Sequence, residues 1–170
     1  MTFPIYPPEA YDRYLALKPS PLLVLIMLYC ARHPFFVLLA FNPSKKLGAD
    51  LSFLQYYATP ATLVFGLPAL ALIAAWSQRS PTALPLWRTI WRHGKTLLGA
   101  SLVAHFAHLA YSAGPDIFYS YVLSDSSRLA VTNLGVDLLA FYYLWRSPRV
   151  SDVFADFPSK ALSDQPQSSP

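Results

Sequence analysis

The chain has 170 residues, 54% of them hydrophobic and 13% charged, with a formal net charge of +4. Soluble domains average roughly 25% charged residues, so the deficit points to lipid as solvent, and basic residues lying between apolar runs argue against a nucleic-acid face. The single cysteine, Cys30, excludes an intramolecular disulfide and a cysteine-based metal site.

Residues 1–20 precede the first apolar run and are expected on the cytoplasmic side of a membrane. Four segments then read as spanning helices, at about 21–42, 58–76, 96–114 and 128–146, each near the ~20 residues that a ~30 Å hydrocarbon core requires. The first lacks a basic leader and a small-residue cleavage motif, so it is expected to be a retained anchor. The second carries Pro60, Gly66 and Pro68 and should bend. Ahead of the third, Trp87 and Trp91 lie four apart, as do Arg88 and Arg92. That spacing predicts a short amphipathic helix with these four residues as interfacial anchors, indoles at the headgroup level and guanidiniums towards phosphates. Ser126 or Ser127 is expected to cap the fourth span. Residues 147–158 read as a cytoplasmic juxtamembrane segment, and 159–170, polar and without aromatics, as a disordered tail.

The expected fold class is therefore all-α: an integral membrane four-helix bundle with short loops and one interfacial segment. Nine lysines and arginines fall on one side of such a bundle and three on the other, which places both termini in the cytoplasm.

A charged group near mid-bilayer must face protein or trapped water and have a partner. Arg32 is central in the first span, His105 in the third and Asp137 in the fourth, with His33 and His108 within about one turn of that depth. Ser101, His105, His108 and Ser112 form one stripe of the third helix, and Asn133 stacks on Asp137 in the fourth. The expectation is an intramembrane network of Arg32, His33, His105, His108, Asn133 and Asp137, centred on a direct ion pair between Arg32 and Asp137.

Three readings of this layer stay open: structural glue between helices, a proton or substrate pathway, and axial haem or metal ligation by His33 with His105 or His108. No phosphate loop or nucleophile elbow is present. No catalytic, cofactor-binding or metal residue is assigned.

Tyr11-Asp12-Arg13, Leu17-Lys18-Pro19 and Leu28-Tyr29-Cys30-Ala31-Arg32, with Tyr143-Leu144-Trp145-Arg146-Ser147 and Val153-Phe154-Ala155-Asp156-Phe157-Pro158 at the other end, resemble the YfeZ-like family of small bacterial inner-membrane proteins, a domain of unknown function. The resemblance runs over about residues 6 to 158 and implies a bacterial inner-membrane location and a four-span shape, with no catalytic residue carried over. It also marks the Asp-Phe-Pro segment either as a docking element or as a cover in which Val153, Phe154 and Phe157 close the bundle's cytoplasmic end. The expected function is non-enzymatic: an accessory, scaffold or assembly subunit partnered by the lipid bilayer and by another membrane protein or a second copy. The alternative is a small proton-coupled transporter or channel.

Overall fold

The computed structural model describes residues 6–41, 60–119 and 125–158. Among them are six α-helices and no named strand: α1 (Pro21–Phe41), α2 (Pro60–Ser77), α3 (Pro85–Arg92), α4 (Gly94–Tyr119), α5 (Asp125–Arg146) and α6 (Pro148–Ala155). Four of the six begin on proline, whose fixed φ suits the first helical turn and whose missing N–H has no intrahelical partner there in any case. At α1 the preceding Ser20 completes the start, its Oγ accepting from the Leu23 amide at 3.2 Å. α5 begins at Asp125, so Ser126 and Ser127, the expected caps, both lie inside its first turn. The tail at 159–170 lies outside the described residues.

The long helices pack in the order α1, α2, α4, α5, with α1 and α5 at the two ends of the array. At the first contact, Gly66 of α2 sits on Pro34 of α1, and a Cβ at Gly66 would run into the proline ring. That glycine sets how closely the two helices approach. The core is aliphatic, built on Leu23 and Met27 of α1, Leu72 of α2, Leu98 and Leu102 of α4 and Leu144 of α5. Large apolar side chains also cover the outside, with Leu25 62% and Leu139 71% exposed. Among the described residues, no helix is long and apolar enough to cross a membrane.

One end of the bundle is closed by the terminal segments. Residues 10–18 form a narrow loop in which Asp12 N donates to Ala16 O and Lys18 N to Ala10 O, both at 2.8 Å. Asp12 Oδ1 accepts from the Tyr14 and Ala16 amides, at 2.8 and 3.0 Å, holding the turn. Short α6 packs beneath α3 and the start of α4, where the Phe154 ring occupies the space a Cβ at Gly94 would need.

Candidate functional site

The polar residues expected near mid-bilayer converge from three helices. Asp137 of α5 is 1% exposed and is held by two donors. Tyr29 OH of α1 donates to Oδ1 at 3.0 Å, and His105 Nδ1 of α4 lies 2.7 Å from Oδ2. The Arg32 guanidinium is turned elsewhere: Nη1 donates to Tyr29 O at 2.7 Å, Nη2 reaches Asn133 Oδ1 at 3.3 Å and His105 Nε2 at 3.4 Å, and the group stacks 3.6 Å from the Tyr29 ring centroid.

The direct Arg32 to Asp137 pair is thus corrected. Asp137 is instead hydrogen-bonded to His105, and the imidazole stands between the guanidinium and the carboxylate. The physical reason lies in what holds Arg32: the Tyr29 carbonyl accepts from Nη1 and the Tyr29 ring lies against the guanidinium, while Tyr29 OH and His105 Nδ1 each approach one carboxylate oxygen. Partner chemistry assigns the tautomer. An ionised carboxylate only accepts and a guanidinium only donates, so His105 carries its proton on Nδ1 and offers the Nε2 lone pair to Arg32.

His33 is buried with its ring 4.8 Å from that of His105 and tilted by 53°, a ring contact rather than two ligands facing across an iron. Among the described residues, no group of three or more His, Cys, Asp or Glu side chains is placed to hold a metal ion. His108 lies off the network, with its ring 5.5 Å from that of Phe65. Ser101, on the same stripe, donates to Phe65 O of α2. Asn133 is tied to its own helix by Nδ2 donating to Leu129 O at 2.9 Å. The space enclosed by the layer is about 10 Å³, close to the smallest volume that accepts one water.

Tyr29, absent from the network expected from the sequence, supplies through its hydroxyl one of the two donors to the buried carboxylate. Its i, i+3 spacing from Arg32 was the available signal.

The four expected interfacial anchors separate. Trp91 is fully buried, its Nε1 donating to Val153 O at 2.8 Å, its ring against Phe154 and under the Arg79 guanidinium. It anchors α6, which covers this face of α3. Arg88 is half-buried, donating to Pro81 O at 2.6 Å with its guanidinium over Phe157. Trp87 is half-buried and Arg92 exposed. Sequence reading had given Arg79 no role beyond its charge. It is 6% exposed, with Nη1 donating to Leu17 O at 2.8 Å and Nη2 to Asp156 O at 2.7 Å. Burial pulls its pKa below the ordinary value, opposed by Asp12 and Asp156. Asp156 Oδ2 in turn accepts from the Leu17 amide at 2.7 Å.

These contacts join the two stretches in which the sequence carries its short motifs. A family profile matches residues 6–156, nearly the whole of the described structure. The chain belongs to the DUF2919 family, whose members are proteins of unknown function. Comparison with curated proteins and with solved structures gives no match. Within this DUF2919 protein, the matched span ends on Asp156, the residue whose carboxylate ties the C-terminal segment to the N-terminal loop.

Proposed function

We propose that the chain is a multi-pass α-helical protein of a bacterial inner membrane, with α1, α2, α4 and α5 in the bilayer and both termini cytoplasmic. Support comes from its outer surface, where Leu22, Leu25 and Leu28 of α1, Leu67 of α2 and Leu138 and Leu139 of α5 are exposed. Such a surface is a liability in water and the expected condition in lipid. Mean hydropathy averages over the whole circumference of a helix, whereas His105 and Ser101 point inward and leave the lipid side apolar.

Within that setting, the protein acts as a non-enzymatic accessory or assembly subunit that holds another membrane protein or a second copy. The observation carrying this reading is a groove of about 270 Å³ between α1 and α5, lined by Leu22, Leu25, Tyr29, Val136, Leu139 and Tyr143. It is open because α1 and α5 are the ends of the array and meet chiefly through hydrogen bonds: Tyr29 to Asp137 and Asn133, and Ser20 to Tyr143. A helix laid in this groove would complete the packing that α1 and α5 leave unfinished.

A photo-crosslinking residue at Leu139, compared with one at Leu67 on α2, tests it in intact cells. The expected outcome is one adduct of discrete mass from position 139 and none from 67; no adduct, or the same smear from both, would count against the subunit reading. The rival, a proton-coupled transporter or channel, has the buried His105 to Asp137 contact in its favour and the ~10 Å³ enclosed volume against it. Proton flux into vesicles that Asp137→Asn abolishes would favour the rival.

A further inference from the structure

A second cavity, of about 510 Å³, opens where α1 and α2 leave the cytoplasmic end of the bundle. That volume lies in the range of about 300–1,000 Å³ typical of small-molecule sites. Its wall is apolar and its rim is charged. Val24, Leu25 and Leu28 of α1 and Trp76 of α2 form the wall, and Asp12, Lys18 and Arg79 the rim. From Pro21 to Leu28 the lining descends about 10 Å along the α1 axis at ~1.5 Å per residue, so head and tail of an amphiphile would meet different chemistry.

The rim holds both signs of charge with bonding capacity to spare. Lys18 Nζ donates to Glu9 O at 3.1 Å, which uses one of three donors. Arg79 is held by the carbonyls of Leu17 and Asp156, and among the described residues no carboxylate lies within ion-pair distance of it. Asp12 commits Oδ1 to two amides, and its Oδ2 has no hydrogen bond among the described residues. A phosphate matches the two cations, and a primary ammonium, which carries N–H donors, matches Asp12 Oδ2. A purely anionic head would leave Asp12 facing like charge, and a quaternary ammonium has no proton to donate.

We infer that this cavity binds a phosphatidylethanolamine molecule, its phosphate at Lys18 and Arg79, its ammonium on Asp12 and its acyl chains along Val24, Leu28 and Trp76. The inference rests on the membrane reading above. Bound lipid would connect the N-terminal loop to α1 and α2 at the membrane surface, bracing the end of the bundle that α6 also closes.

Native mass spectrometry of the full chain, released from mild detergent after mixing with equal amounts of phosphatidylethanolamine, phosphatidylcholine and phosphatidylglycerol, tests the site. One phosphatidylethanolamine should be retained about tenfold more than either of the others, the worth of one charge-assisted hydrogen bond. Asp12→Asn keeps the Oδ1 acceptor that holds the turn, so the variant should fold and retain phosphatidylethanolamine and phosphatidylcholine equally. Lys18→Gln should weaken all three. Equal retention of the three lipids by the unmodified protein, or a preference that survives Asp12→Asn, would overturn the proposal. So would equally strong binding of soluble phosphoethanolamine, since the apolar wall would then contribute nothing. A chain released from membranes by alkaline carbonate would instead overturn the membrane reading itself, a result distinct from lost lipid selectivity.

Discussion

His105 decides how the buried charges are arranged. Because it lies between Arg32 and Asp137, exchanging those two residues should not restore a variant damaged at either position: a guanidinium at 137 would face the donors Tyr29 OH and His105 Nδ1–H. Thermal unfolding in detergent should therefore show Arg32→Asp with Asp137→Arg at least as unstable as the worse single change. Asp137→Asn should cost about 1–3 kcal/mol, because the charge on one hydrogen-bonded pair is lost in a buried site. Tyr29→Phe removes the second donor and should cost about 1–2 kcal/mol in the same measurement. Leu15 has a φ of 60° and is exposed, so its side chain brings backbone strain without burial. Leu15→Asn, better suited to that conformation, should stabilise the chain by about 0.5–1 kcal/mol by the same assay.

The terminal elements are coupled through close contacts rather than through area. Gly94 opens α4 and is covered by Phe154 of α6, so Gly94→Ala should force the two apart at a cost of about 1–3 kcal/mol. Trimming the ring with Phe154→Leu in the same chain should recover part of that loss, and a double-mutant cycle reads the coupling. Additive effects would show that α6 does not rest on α4 in this way. The helices themselves were largely legible, since Pro21, Pro60, Pro85 and Pro148 each stand at a helix start and α3 follows the four-residue spacing of Trp87 and Trp91. The face that α3 buries was not. An amphipathic pattern identifies an apolar stripe but cannot say whether lipid or α6 covers it, and here Val153 and Phe154 reach Trp91 first.

Across the whole molecule, the polar layer and the closed end act at different depths. The layer links α1, α4 and α5 in the interior, while Asp156 and Arg79 join the N-terminal loop, the residues after α2 and the C-terminal segment. On the membrane reading, reporter domains fused at either end should be active in the cytoplasm, and the chain should resist extraction by alkaline carbonate; activity of both on the outer side would invert the proposed orientation. Composition and hydrophobic spacing alone determined the all-helical class and the convergence of Arg32, His105 and Asp137 on one region, because those follow from local periodicity and the cost of isolating charge in an apolar run. Only the tertiary structure decided that His105 rather than Arg32 touches Asp137, that Trp91 is a core residue and that Arg79 clasps both ends of the chain. Those outcomes depend on helix rotation and on which of several nearby donors reaches an acceptor first, and neither quantity is written in a residue's spacing along the chain.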